Sequence, residues 1–257
     1  MKGVVLFAFN NNIYDYYKMA VYCAKRVNRF LDLPVTIVTD KNSVTDTDYV
    51  FDNIIYTDAQ TDNLRANKAW YNKGRYRVFD YSPYDETLVI DTDYLVNSNT
   101  LNSVFNLYDD FMCHKEIYIP LFPKQPEYIS PYSFETLWAT VMFFRKTNRV
   151  KQLFECMQMI QENYVHYVNL YGMLGTMFRN DHALAIATRL VNGHFEDKSM
   201  YIPWSLTHIQ KEVTVYRVDD TSYLLMRKNG KRNEYITVKD IDFHCLGKQT
   251  FMDLINE

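Results

Sequence analysis

The chain has 257 residues and 30.7 kDa, with 47% hydrophobic and 23% charged residues, which is enough apolar material for a core and excludes general disorder. Its formal net charge is −3 and its sequence pI is about 6.1; this argues against a protein that holds nucleic acid on a broad positive surface and leaves only a local basic groove open. The four cysteines, Cys23, Cys113, Cys156 and Cys245, lie far apart, so there is no zinc-ribbon spacing and free, mostly buried thiols are expected.

Residues 4–9 (VVLFAF) form a continuous apolar run, the pattern of a parallel strand buried on both faces. The run is too short to span a membrane, and the asparagines after it make no cleavage site. The expected location is therefore cytoplasmic. Asn10–Asn12 read as a polar loop, with Asn12 placed to cap a helix. Tyr17, Ala20, Ala24, Val27 and Leu31 recur at helical spacing until Pro34. Residues 35–39 then read as a second strand ending at Asp40. Strand, helix and strand in this order predict an α/β domain whose ligand-facing loops lie at the C-terminal ends of parallel strands. No glycine-rich loop follows the first strand, which excludes the dinucleotide and P-loop motifs.

A short strand is expected at 53–57 and a helix at 67–80, followed by a turn at Ser82-Pro83. Residues 87–90 (TLVI) form another buried strand, ending at Asp91-Thr92-Asp93. Further on, the pattern predicts a strand within 111–121, a mobile or functional loop at 124–133 and a strand at 141–145. It then predicts a helix capped by Thr147 and a helix over 180–191 stopped by Asn192-Gly193. Strands at 213–218, 223–227 and 235–238 carry a turn signal at Asn229-Gly230, and a short helix is expected at 249–255. No repeat or linker divides the chain. A single domain is expected, with 1–98 as a nucleotide-binding half and 99–257 as an acceptor and sugar half.

Asp-x-Asp occurs at Asp46/Asp48, Asp91/Asp93 and Asp240/Asp242. Only Asp91/Asp93 directly follows an apolar run, so only there does a buried strand push two carboxylates out at the sheet edge, where α/β ligands bind. The other two pairs read as solvated turns or local caps. Two hard carboxylates at such an edge suit Mg²⁺ or Mn²⁺ on a nucleoside diphosphate. As strand-end groups they are expected to be exposed and not to build the core. The 22 tyrosines, 16 phenylalanines and 3 tryptophans suit pocket walls for polar, ring-shaped ligands.

The segment 75–93, from Arg75 through Ser82-Pro83-Tyr84 to Asp91-Thr92-Asp93, resembles the metal-binding signature of the GT-A fold glycosyltransferases. It is most similar to the family 8 group that includes glycogenin and bacterial galactosyltransferases. Phe243-His244-Cys245-Leu246-Gly247-Lys248 resembles that family's late His-x-x-Gly-(x)-Lys element, and Asn180-Asp181-His182 its Asp-Gln segment. The resemblance implies a Rossmann-like GT-A domain with a mostly parallel sheet and a smaller C-terminal helix and hairpin region. It implies His244 as a third ligand beside Asp91 and Asp93, a set that suits Mn²⁺, and Lys248 and Arg75 on the diphosphate of a UDP-sugar. It also implies Phe9, Asn10, Asn12 and Asp40 around the nucleoside, Thr92 and Gly247 in the donor site, and Asp181 on the transferred sugar. The chain departs from the family where His182 replaces Gln, where Trp138-Ala139-Thr140 replaces Asn-x-Gly, and where Gln249-Thr250 replaces Pro-Trp. The implied activity is retaining transfer to a hydroxyl of a glycan, a lipid-linked sugar, a protein or a hydroxylated DNA base. From the residues alone, a haloacid-dehalogenase-like phosphatase with Asp91 as nucleophile, a sugar nucleotidyltransferase and a non-catalytic carbohydrate-binding protein remain alternatives.

Overall fold

The computed structural model describes residues 1–58, 64, 65, 68, 69, 71, 73–123, 127–175 and 177–256. In chain order the elements are β1 (Lys2–Phe7), α1 (Tyr16–Leu31), β2 (Val35–Thr39), β3 (Asn53–Tyr56), β4 (Leu64–Arg65), β5 (Lys68–Ala69), a 3₁₀ turn Lys73–Arg77, α2 (Val78–Tyr81), β6 (Glu86–Ile90) and β7 (Tyr94–Leu95). They continue with a 3₁₀ segment Thr100–Asn106, β8 (Phe111–His114), β9 (Ile117–Tyr118), β10 (Trp138–Arg145), α3 (Asn148–Glu162), α4 (Tyr164–Tyr171) and α5 (Asn180–Val191). After a 3₁₀ turn Lys198–Met200 come β11 (Leu206–Ile209), β12 (Val213–Arg217), β13 (Ser222–Asn229), β14 (Arg232–Lys239), β15 (Phe243–Cys245) and α6 (Lys248–Asn256).

The central sheet runs β3-β2-β1-β6-β10-β8. Its first four strands are parallel, and β10 runs antiparallel to both of its neighbours. The α/β class and mostly parallel sheet expected from the sequence are thus observed. Side chains alternate across each strand. Val4 and Leu6 of β1 join Val35, Ile37, Leu88 and the apolar stripe of α1 on one face. Val5, Val38 and Val89 join α3 and α5 on the other. Burial on both faces is why these strands read as unbroken apolar runs.

Gly3 lets β1 pass Tyr84. A Cβ placed there would overlap the tyrosine ring, which is itself buried and accepts a hydrogen bond from the Thr36 hydroxyl at 2.9 Å. Gly3→Ala is expected to lower unfolding stability by about 2–3 kcal/mol, because a packed ring has nowhere to go. Urea denaturation of the variant measures this directly, and an unchanged midpoint would show that the ring can relax.

Several elements differ from the sequence reading, each for a local reason. Asn12 does not cap α1. Asn11 Oδ1 accepts from the amides of Ile13 and Tyr14, which prolongs the loop, and Asp15 caps the helix by accepting from Lys18 N at 2.8 Å. The expected helix at 67–80 is instead the short strand β5, a 3₁₀ turn that includes Gly74, and a single α turn ended at Ser82-Pro83; residues 67, 70 and 72 lie outside the described residues. The region 111–121 is two strands in two sheets, β8 in the central one and β9 in the second. The break falls at Lys115, which forms an ion pair with Glu196 at 2.6 Å. Helix α4, ended by Gly172 at φ 61°, is an addition, as are β11 and β15. Within the expected loop at 124–133, residues 124–126 lie outside the described residues.

Beside the central sheet stands a second one, β7-β15-β11-β9. The hairpin β13-β14 turns at Asn229-Gly230 as expected and pairs with β12. In each of the two other Asp-x-Asp pairs the second carboxylate is engaged locally. Asp48 forms an ion pair with Lys25 at 2.8 Å, and Asp242 accepts from the amides of Asn97 and Ser98 at 2.7 and 2.8 Å. Burial pushes the Asp242 carboxyl up to about 6. All four cysteines are free, three buried and Cys156 half-buried. Among the described residues no helix is long and apolar enough to cross a membrane.

Candidate active site

β6 ends at the middle of the central sheet and delivers Asp91, Thr92 and Asp93 at its C-terminal edge. The chain turns there, with Asp91 N donating to Thr140 O at 2.9 Å and Tyr94 N to Asp91 O at 3.0 Å. β7 follows at once and pairs antiparallel with β15, setting His244 opposite Tyr94. Cys245 N donates to Asp93 O at 3.0 Å. Backbone pairing therefore carries His244 to the carboxylates across 151 residues of sequence.

Its Nε2 lies 3.1 Å from Asp93 Oδ2 and 3.9 Å from Asp91 Oδ2. One ligand atom from each of Asp91, Asp93 and His244 falls within 4.8 Å of the others. Burial holds the His244 pKa below its ordinary value, outweighing the opposing pull of Asp91 and Asp181, so the ring is neutral near pH 7 and keeps a lone pair for a metal.

Two cations close on this group. Lys248, the first residue of α6, places its ammonium on Asp93 Oδ2. Arg75, buried in the 3₁₀ turn, places Nη1 on Asp91 Oδ1. The Nε and Nη2 atoms of Arg75 are buried and have no hydrogen-bond partner among the described residues. An unpaired buried donor is costly, about 1–3 kcal/mol, and these donors lie on a residue that lines the cavity.

That cavity has a volume of about 720 Å³. Of the residues singled out in the sequence, Phe9, Arg75, Asp91, Thr92, Asp93, Asp181, His244, Gly247 and Lys248 line it. Asn10, Asn12 and Asp40 do not. Asn10 Oδ1 accepts from Tyr17 N at 2.9 Å and its amide donates to Ser43 O at 3.2 Å. Asp40 accepts from the amides of Asn42 and Ser43 and from the Ser43 hydroxyl. Asn12 is exposed. Asn10 and Asp40 thus bond mainly to nearby backbone, with the Ser43 hydroxyl also on Asp40.

Asp181 lies in the first turn of α5. Ala139 N donates to its Oδ1 at 2.9 Å and Arg179 Nη2 to its Oδ2 at 3.2 Å. Burial pushes its pKa up, but Arg179 and the Ala139 amide outweigh this and leave it below the ordinary value. His182 turns away, its Nδ1 3.1 Å from the Tyr164 hydroxyl, and burial together with Arg179 brings its pKa to about 4. The cavity also contains Tyr16, Glu127 and His208, which no motif announced, and Trp138, which the sequence marked only as a departure from the resembled motif. Burial raises the pKa of Glu127 and of Tyr16, whose buried hydroxyl has no partner among the described residues. These are single residues on separate segments, so no spacing could have linked them.

No protein-family model matches the chain, and no curated protein matches it in sequence. Solved structures do resemble it. The glycosyltransferase GlyE of Streptococcus pneumoniae TIGR4 matches at 12% identity and TM-score 0.43, over 77% of this chain and 44% of GlyE. This chain thus spans under half the length of GlyE. The galactosyltransferase LgtC, solved with donor and acceptor sugar analogues, matches at 13% identity and TM-score 0.45, over 73% of this chain and 70% of LgtC. Mouse xyloside xylosyltransferase 1 matches at 13% identity and TM-score 0.45, over 79% and 84%. These structures are of glycosyltransferases, and at such values no residue of this chain takes its role from them.

Proposed function

We propose that this protein is a metal-dependent glycosyltransferase that moves a sugar from a UDP-sugar to an acceptor hydroxyl. One observation carries the reading. Asp91, Asp93 and His244 meet on the wall of a 720 Å³ cavity, flanked by Lys248 and by an arginine whose buried Nε and Nη2 have no partner among the described residues.

Asp91, Asp93 and His244 would hold a divalent cation. Two carboxylate oxygens and a neutral imidazole suit Mn²⁺ or Mg²⁺. Bound there, the ion would supply positive charge to the diphosphate as it leaves. Arg75 Nε and Nη2 are free to donate to phosphate oxygens, and Lys248 adds a second positive charge. Both act where leaving-group charge grows, so they favour the transition state over the ground state. Phe9, Tyr14 and Tyr16 offer an aromatic wall for the nucleoside. Asp181, held by Ala139 N and Arg179, has a set orientation and would position the sugar. Retention of the anomeric configuration is the outcome that the family 8 resemblance supports.

A screen of UDP-sugars for UDP release, with Mn²⁺ and with EDTA, tests this. We expect release from one donor, with Mn²⁺ only. His244→Ala should weaken Mn²⁺ binding by about 100-fold and lower UDP affinity with it. Release indifferent to EDTA would overturn the metal role. Orthophosphate release from simple phosphoesters without UDP turnover would overturn the reaction class.

A further inference from the structure

β11 and β15 are parallel neighbours with His208 directly opposite His244. Residues opposite each other on paired strands face the same side of a sheet, and the two imidazole centroids lie 4.9 Å apart with their planes at 84°. Trp138, the first residue of β10, also packs on His208, with centroids 4.9 Å apart. Trp138 is 5% exposed and His208 2%, and both line the cavity. Each ring is thus buried against the other.

His208 Nδ1 is buried and has no hydrogen-bond partner among the described residues. The next residue after Trp138, Ala139, donates its amide to Asp181, which ties that carboxylate to the same corner. A rigid aromatic wall, an imidazole with unused hydrogen-bonding capacity and an oriented carboxylate are the groups that recognise a ring bearing several hydroxyls. The corner adjoins His244, and therefore adjoins the place where a diphosphate would end.

We propose that Trp138 and His208 form the subsite for the donor's sugar ring, with His208 binding a ring hydroxyl and Trp138 limiting the size of the ring. This rests on the sugar-nucleotide reading of the cavity. The subsite contributes the part of donor affinity that comes from the sugar and not from UDP.

The test compares Mn²⁺-dependent binding of UDP with that of UDP-glucose, UDP-galactose and UDP-xylose by calorimetry, on the full chain. His208→Ala should weaken the preferred UDP-sugar by about tenfold, the loss of one hydrogen bond in a dry site, with UDP affinity changed less than about threefold. His208→Gln, which keeps a donor and an acceptor, should recover most of the loss. Trp138→Phe, a smaller ring, should narrow the ranking among the three sugars with UDP affinity kept. These two milder variants carry the test if the alanine variant does not fold. Equal weakening of UDP and UDP-sugar would assign His208 to support of His244 and overturn the proposal, as would unchanged sugar affinity and ranking in all the variants. Wild-type protein that binds no UDP with Mn²⁺ would instead overturn the sugar-nucleotide reading itself.

Discussion

Asp91→Asn and Asp93→Asn are each expected to cut sugar transfer by about 10³-fold or more, with Mn²⁺ binding lost in parallel. Each change removes one hard anionic ligand from a set of three, and the charge opposite a departing diphosphate is a large part of such a barrier. Stability should separate the two variants from a merely structural account. Asp93 is 4% exposed and carries both Lys248 and His244, so it is not the exposed strand-end group that the sequence suggested. Asp93→Asn leaves the Lys248 ammonium opposite a neutral amide and should lower thermal stability modestly. Asp91 is 28% exposed at its side chain and faces Arg75. Folded protein with normal turnover in either variant would remove the metal site. Electron paramagnetic resonance of Mn²⁺ gives the second, activity-independent readout.

Arg75→Ala should lower kcat/KM by about 100-fold, with UDP affinity falling alongside, and Arg75→Lys should fall between the alanine variant and the wild type. Lysine keeps the charge but cannot present the two donors, Nε and Nη2, that the guanidinium holds in fixed geometry. If Arg75 served only to pair with Asp91, its loss would reduce thermal stability and leave the surviving protein's kcat/KM intact. If it serves a diphosphate, the variant sheds two buried donors without partners among the described residues, so stability should change little while UDP binding falls. Calorimetric titration with UDP beside thermal melting distinguishes the two outcomes.

The site is partly legible in the sequence. Asp91 and Asp93 stand out because an apolar run burying both faces, β6, ends on two carboxylates, and a sheet edge is where such a run must end. Lys248 and His244 come only through likeness to a family motif, and both line the cavity with the aspartates. Asn10 and Asp40 lie outside the cavity lining, and their local bonds have a physical reason. Asn and Asp beside a strand end are equally suited to a ligand and to a nearby amide, and here the amides of Tyr17, Asn42 and Ser43 take them. Asn12 fails as a cap because Asn11 bonds its own neighbours first.

By itself, the sequence determined the β1-α1-β2 opening, the strands that read as unbroken apolar runs, α5 with its Asn192-Gly193 stop, the Asn229-Gly230 hairpin, and the pair of carboxylates at one sheet edge. These are local, since periodicity, caps and turn residues act within a few positions of each other. Only the tertiary structure decided that β15 lies against β7, so that His244 reaches Asp93, and that Arg75 bends inward to Asp91. Only there do Trp138 and His208 meet beside them. β7, β11 and β15 are two to four residues long, too short to show a period. The pairing energy that joins them comes from segments far apart in the chain, which no local pattern records.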